Sequence, residues 1–323
     1  MKTVVVILGP TGVGKTELSL RVAERLQAPV LSADSRQIYS EIPVCTAAAT
    51  PAQRARVPHY FVGCRGLDES YSAAQYEADV LQLVESHPAE NFVLCGGSML
   101  YLDAVCRGID DMPQADPAIR ARLQRQCEEE GLAPLLDLLA RLDPDYFARV
   151  DRKNSLRVIH GLEMCLTTGR PFSSFRTGER KERPFYIYKV GLQRERPDLY
   201  RRIDLRVDAM MEEGLVEETA AVYRAYEETL HAQLAGVVRN PGPTQAQPIP
   251  NLKPVALNTV GLREMLLYHE GIYTLERALE QIRHNSKVYS KKQMTWFRRD
   301  AEIHWYDADR TDEILDDIVR NIH

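Results

Sequence analysis

Residues 9–16 read Gly-Pro-Thr-Gly-Val-Gly-Lys-Thr, directly after the apolar run Val4-Val5-Val6-Ile7-Leu8 and directly before a helix-like stretch from Glu17 to Gln27. An uninterrupted apolar run of strand length marks a strand buried on both faces, as in a parallel sheet. The glycines that follow let the backbone wrap so that its N–H groups converge, and the next helix adds the positive end of its dipole at the same place. Gly9, Gly14, Lys15 and Thr16 satisfy G-x-x-x-x-G-K-[ST] in the strand-then-helix context that the motif requires. Gly9, Pro10, Thr11, Gly12, Val13, Gly14, Lys15 and Thr16 are therefore a candidate phosphate cradle. Lys15 supplies a point charge and Thr16 a hydroxyl for Mg²⁺, and the competing reading is an accidental glycine-rich turn. Whose phosphate the loop holds is the question that the remaining residues must answer.

The first ~110 residues continue the same alternation. Leu18, Val22 and Leu26 recur at helical spacing, and residues 29–33 form a second short strand that ends in Asp34. Residues 73–86 are helical, with Tyr76, Val80 and Val84 on one side, and residues 91–95 form a third buried strand running into Gly96-Gly97. This β-α-β-α-β order predicts an α/β, P-loop NTPase-like parallel sheet flanked by helices. After Gly108 the strand signal stops. Helical patterns over 117–131, 134–141 and 154–168 predict an all-helical insertion over 113–181, between core segments 1–112 and 182–323; Gly169-Arg170-Pro171 stops the last of them. Residues 186–192 predict a strand returning to the sheet, followed by helices over 197–213, 216–228, 260–270, 274–299 and 311–322. Pro241, Pro243, Pro248, Pro250 and Pro254 fall within 236–254 and predict an exposed loop.

Composition narrows the function classes. A net charge of −5 argues against a general polyanion binder while leaving room for a local basic face. The six cysteines form no C-x-x-C pair and the eight histidines no H-E-x-x-H, so neither a disulfide framework nor a metal centre is expected. No apolar run approaches spanning length, and the chain reads as a cytoplasmic protein without membrane contact.

A P-loop ordinarily serves nucleotide hydrolysis or a kinase, with ATP bound, and such enzymes want a second strand ending in an Asp that organises Mg²⁺. Here the natural candidate, 91–95, ends in Gly-Gly-Ser. The strand-end acid is instead Asp34. Strand ends on this side of a parallel sheet face the ligand crevice, so Asp34 is expected near Thr11 and Lys15, a turn or cap role being the alternative. A third signal is RHNSKVYSKKQMTWFRR at 283–299, with six Lys/Arg and no acid. Arg283, Lys287 and Lys291 fall at i, i+4, i+8 with Trp296 and Phe297 close behind, a pattern that suits RNA phosphates and bases or, more plainly, a solvated charged helix.

Together the segments GPTGVGKT, SADSRQIY, VPHYF, YSAAQY, CGGSMLYL, RLDPDYFARVDRKNSLRVIHGLEMCLTTGRPFSSF, LYRRIDLRVDAMMEEGLVEE, VGLREM and SKKQMTWFRR resemble, in order and over nearly the whole chain, the tRNA dimethylallyltransferases, or tRNA isopentenyltransferases. The resemblance implies that the P-loop holds the diphosphate of dimethylallyl diphosphate. The five-carbon group then passes to the exocyclic amine of an adenine beside the anticodon of a tRNA, with Mg²⁺ as cofactor. It implies that Asp34 is the general base, that Thr11 and Arg206 meet the diphosphate at the leaving bond, and that Thr16 contacts the metal. It further implies tRNA contacts at Asp34, Ser35, Arg36, Gln37, Ser98, Arg120, Leu156, Arg157, Val158, Ile159 and His160, and at Lys287, Lys291, Lys292, Gln293, Thr295, Trp296 and Arg298. The helical insertion would touch the tRNA anticodon stem-loop, and a monomer is expected. The chain departs from the family where Gly-Thr-Ala-Lys-Pro is usual, reading Cys45-Thr46-Ala47-Ala48-Ala49 without the lysine. It also lacks the Asp that usually follows the histidine of VPHYF. The alternatives are a small-molecule P-loop kinase, an adenylate prenyltransferase acting on free AMP or ATP, and an RNA-binding module with a vestigial loop.

Overall fold

The structure is a computed structural model describing residues 1–113, 115–239 and 249–322. The chain divides into two compact units, one made of residues 1–106 with the chain from 183 onward, the other of residues 107–182. In chain order the first unit begins β1 (Thr3–Leu8), α1 (Lys15–Leu26), β2 (Val30–Ala33), α2 (Pro43–Thr46), α3 (Pro51–Arg56), β3 (His59–Tyr60), α4 (Ala73–Ser86), β4 (Asn91–Gly96) and α5 (Met99–Arg107). The second unit holds α6 (Pro117–Glu130), α7 (Ala133–Leu142), α8 (Pro144–Arg149) and α9 (Ser155–Thr168). The first then resumes with β5 (Tyr186–Gln193), α10 (Arg196–Glu212), α11 (Leu215–Gln233), α12 (Leu262–His269), α13 (Leu275–Phe297), β6 (Ile303–Asp307) and α14 (Thr311–Asn321).

The six strands form one parallel sheet in the order β3-β2-β4-β1-β5-β6. β1 is buried along its whole length because both faces are covered. Val5 and Ile7 pack with Leu18, Leu20 and Val22 of α1, Ile203 of α10 and Ile314 of α14. Val4, Val6 and Leu8 pack on the other side with Tyr76 and Val80 of α4 and Val105 of α5. The alternation is the period-2 geometry of a strand sandwiched between two helix layers. A separate cluster joins Val207 and Met210 of α10, Leu266 of α12 and Ile282 of α13 to Ile38 and Cys45. β1, β2, β4 and β5 fall where the sequence predicts strands. The edge strands β3 and β6, and the helices α2, α3, α5 and α8, carry no sequence expectation; β3 with two residues and α2 with four are too short to show a period.

The second unit has its own core, in which Leu135 and Leu139 of α7 and Val158 and Leu162 of α9 are fully buried. Its organising polar residue is Asp143, completely buried before α8. Asp143 Oδ1 accepts from the Tyr146 amide (2.9 Å) and the Ser173 hydroxyl (2.7 Å), and Oδ2 accepts from the Ser173 amide (2.6 Å). Three donors offset the desolvation of one carboxylate and fix the start of α8. Pro250 and Pro254 lie within the described residues, whereas Pro241, Pro243 and Pro248 of the proline-rich stretch lie outside them. Among the described residues no helix is long and apolar enough to cross a membrane.

Candidate active site

The loop between β1 and α1 is anchored from three directions. Gly14, with φ 112°, gives α1 a left-handed entry that an L side chain rarely adopts. From β5's end, Arg194 Nε donates to the Val13 carbonyl (2.9 Å), and from α10 Arg202 Nε donates to the Gly12 carbonyl (3.0 Å). Val13 and Ile203 share one buried cluster. Lys15 Nζ donates to the carbonyls of Gly9 (2.9 Å) and Pro10 (2.8 Å). Burial pushes this ammonium down to about 8; nearby Arg206 adds to the fall, while Cys95 and Asp34 oppose it. Thr16 is exposed at the first turn of α1.

Arg206, one turn along α10 from Arg202, reaches into the same cleft. Its Nη1 donates to Thr11 Oγ1 (3.2 Å) and its Nη2 to the Thr46 carbonyl (2.9 Å). Burial lowers its pKa, yet a guanidinium starts so high that the charge persists at neutral pH. Of Arg202 and Arg206, the one bonded to the Thr11 hydroxyl is Arg206, while Arg202 holds the Gly12 carbonyl.

Asp34 follows β2. Its Oδ1 accepts from the backbone amides of Arg36 (2.9 Å) and Gln37 (3.4 Å), so one oxygen fixes the turn. Thr11, Asp34 and Arg206 line two adjoining spaces. The first, about 220 Å³, is also lined by the apolar Cys45, Ile203, Val207, Met210, Val260 and Ile282, interspersed with the polar Asn258, Thr259 and Ser286. The second, about 590 Å³, opens along Gly12, Gly14, Lys15 and Thr16. One carboxylate thus lines both a cationic, amide-rich cradle and a largely apolar chamber.

Other expected residues fall around this centre. Ser98 Oγ accepts from the Ser35 amide (2.8 Å), and the Ser98 amide donates to the Ala33 carbonyl (3.1 Å), tying the turn after β4 to the end of β2. Gln37 is held by the Ser32 hydroxyl and by its own donation to the Ala47 carbonyl (3.1 Å). Arg36 lines the smaller chamber. α2 is pinned from α11, whose Glu218 carboxylate accepts from the amides of Val44 (2.7 Å) and Cys45 (2.8 Å). That anchor presents the Thr46 carbonyl to Arg206.

The basic helix α13 differs from its sequence reading. Arg283 is paired with Asp208 (2.5 Å) and Lys287 with Asp204 (2.7 Å), both on α10, so much of the expected cationic stripe joins the two helices. Lys291, Lys292, Thr295, Arg298 and Arg299 are exposed. Trp296 donates its Nε1–H to Asp103 (2.8 Å), and its ring lies under Arg299 rather than open for stacking. Gln293 departs furthest from the expected tRNA contact: it is 2% exposed and faces the P-loop. In the second unit Arg120 grips the buried Glu163 through Nε (2.9 Å) and Nη2 (2.7 Å), and His160 leans on the same carboxylate (3.4 Å). Val158 and Ile159 are core residues, against the expectation for their side chains, while Leu156 is 59% exposed and Arg157 is exposed beside it.

Sequence reasoning missed Tyr289, which lines both spaces. Burial, reinforced by Asp34, pushes its phenol up to about 12. Ile282, Ser286, Tyr289 and Gln293 recur at spacings of four, three and four, a helical stripe one position away from the basic one. The signal was present, and the charges of its neighbour hid it.

Residues 37–300 match the model of the family described as IPP transferase, IPPT. The chain belongs to this family. It is 52% identical over 306 residues to tRNA dimethylallyltransferase 2 of Porphyromonas gingivalis, covering 94% of this chain and 93% of that one. It is 49% identical over 324 residues to tRNA dimethylallyltransferase 2 of Parabacteroides distasonis, with both chains fully covered. Among solved structures, the full-length tRNA isopentenylpyrophosphate transferase of Bacillus halodurans superposes with a TM-score of 0.68 at 30% identity, over 100% of this chain and 97% of that one. A eukaryotic dimethylallyltransferase captured acting on tRNA shares the fold, with a TM-score of 0.80 at 22% identity over 100% and 81% of the two chains. This member of the IPP transferase family is accordingly a transferase built on a P-loop sheet.

Proposed function

We propose that this chain transfers the dimethylallyl group of dimethylallyl diphosphate to tRNA, at the exocyclic amine of the adenine beside the anticodon. The observation that carries the reading is Asp34 lining both a diphosphate-type cradle and a largely apolar chamber, with Thr11 and Arg206 lining both as well. The diphosphate lies along the backbone amides of the loop with Lys15 and Arg206 as its counter-charges, and the five-carbon chain lies against Ile203, Val207, Met210 and Ile282. The bond that breaks joins the allylic carbon to the bridging oxygen, and negative charge builds on the departing diphosphate. Arg206, the Thr11 hydroxyl and Lys15 stabilise that charge. The bond that forms joins the same carbon to the adenine nitrogen, whose proton passes to Asp34. An adenine inside a stacked loop cannot reach Asp34, so the base must leave the stack.

Mg²⁺ fits the cradle as an ion carried largely by the diphosphate. Thr16 offers a hydroxyl at the loop's helical end, and among the described residues no cluster of three metal-ligating side chains competes for it. When bound, the ion supplies charge neutralisation to the leaving oxygens. The residues offered to tRNA are, in the core unit, the exposed Lys291, Lys292, Thr295 and Arg298 of α13, and, in the helical insertion considered by itself, Leu156, Arg157 and His160. A kinase reading lacks its strand-end acid, since β4 ends at Gly96 and Gly97 follows it.

The test is incubation with labelled dimethylallyl diphosphate and either tRNA, AMP or no acceptor, followed by mass spectrometry of nucleosides from the tRNA. Isopentenyladenosine formed from tRNA alone is the expected result. Label passing to AMP with none on tRNA overturns the acceptor assignment, and release of label without any acceptor would mark a hydrolase.

A further inference from the structure

We propose that Gln293 is a positioning residue for prenyl transfer, holding the Thr11 amide so that the Thr11 hydroxyl stays on Arg206 at the leaving diphosphate. The inference deepens the donor reading above and rests on it.

The geometry leaves this side chain little freedom. Gln293 Oε1 accepts from the Thr11 amide (2.9 Å), and Gln293 Nε2 donates to the Gly97 carbonyl (2.8 Å). One primary amide thus clamps the P-loop to the turn after β4, two segments that lead from neighbouring strands. The approach is close enough that a Cβ on Gly97 would come within 2.4 Å of Gln293 Nε2, so position 97 must be glycine while this contact exists. Gln293 is buried, and no side chain but a primary amide of this length presents an acceptor to Thr11 and a donor to Gly97 at once.

In most of a P-loop the amides point at the anion. At Thr11 the amide turns aside to Gln293, and the side chain faces the cavity. The backbone clamp and the Arg206 bond to Thr11 Oγ1 (3.2 Å) therefore fix Thr11 from opposite ends. Releasing the backbone end lets the hydroxyl drift, and a drift of ~1 Å at a reacting centre slows chemistry by ~10²-fold. Gln293 borders the P-loop space, but both polar ends of its side chain are taken by Thr11 and Gly97, so its effect on transfer runs through Thr11.

A double-mutant cycle over Gln293→Met and Thr11→Ala reads this directly, because alanine keeps the amide that Gln293 binds. In single-turnover transfer with saturating donor and tRNA, Gln293→Met should slow the step by at least ~10-fold while donor Kd moves by less than ~3-fold. On the Thr11→Ala background the same change should slow transfer by no more than ~2-fold, since the group it positions is gone. Single-mutant effects that simply multiply overturn the proposal. Amide hydrogen exchange at Thr11 in the donor-free protein gives a reading that does not depend on activity: exchange should be at least ~10-fold faster in Gln293→Met. Unchanged exchange also overturns it. If the wild-type protein transfers nothing to tRNA, the functional reading fails and exchange still decides whether the clamp exists. Should Gln293→Met melt below the assay temperature, exchange in the wild type decides: the Thr11 amide should be protected like the strand amides of β1, and free exchange there refutes the clamp.

Discussion

At the scale of single residues, two groups in the cleft carry sharply different expectations. Asp34 has one oxygen fixed by the amides of Arg36 and Gln37, and an asparagine oxygen can accept both bonds. Asp34→Asn should therefore melt within ~1 °C of the wild type while its single-turnover transfer rate falls by about 10²–10⁴-fold, the ordinary worth of a general base. A near-normal rate in a stable Asp34→Asn protein would leave the carboxylate a turn residue. Lys15 gives the second expectation. Burial holds its ammonium down to about 8, so above that pH the free protein increasingly carries it neutral. A diphosphate bound against it favours the charged form and raises that pKa. Donor binding between about pH 8 and 9 should then take up a proton, and donor affinity should weaken as pH rises through this window. Calorimetry in buffers of different ionisation enthalpy measures the uptake directly, and Lys15→Met should abolish it. Equal proton uptake by the variant would move the titrating group elsewhere.

At the scale of elements, α13 shows two working faces about 100° apart around its axis. One carries Ile282, Ser286, Tyr289 and Gln293 into the cleft, and the other carries Arg283 and Lys287 onto the acids of α10. The free cations sit at the last turns. Lys291→Ala with Lys292→Ala should weaken tRNA binding across sequences and lower the salt slope by about one unit for each phosphate that is no longer neutralised, with melting unchanged. Lys287→Ala should behave oppositely: it strips Asp204, whose Oδ1 is buried, of its cationic partner, so it should lower the melting temperature before it alters the salt slope. The contrast explains what the sequence could and could not disclose. The P-loop and its strand are legible because their chemistry is local: eight consecutive residues make the turn, the charge and the helix entry. Asp34 is legible by the rule that parallel strand ends face the ligand crevice. Gln293 meets Thr11 across 282 residues of sequence, and only the packing of α13 against the sheet's open end brings them together. The pairing of Lys287 with Asp204 is equally invisible, because a charge pattern shows which side chains share a stripe and not which neighbour covers it.

At the scale of the whole molecule, the chain carries separate hydrophobic cores, and the one within 107–182 shares no residue with those that surround the sheet. Its tightest point is Gly161 on α9, where a Cβ would come within 2.6 Å of Tyr146 Cε1, with Leu139 of α7 just beyond. Gly161→Ala must push the Tyr146 ring aside, and overpacking of this kind costs about 1–3 kcal/mol. Leu139→Ala attacks the same core from the opposite sense by opening a cavity, at about 2–5 kcal/mol. Both variants should loosen the helical insertion, seen as faster amide exchange across α7, α8 and α9. Neither removes a residue that lines the diphosphate cradle or the apolar chamber, so calorimetric affinity for dimethylallyl diphosphate should stay within about twofold, a change below roughly 0.5 kcal/mol. Affinity for tRNA should fall, because Arg157 and His160 stand on α9 and lose their fixed placement when its core loosens. The decisive comparison is donor affinity against tRNA affinity in the same variant. If both fell together, the cores would be one cooperative system, and the insertion would serve the catalytic sheet as scaffold as well as serving the acceptor.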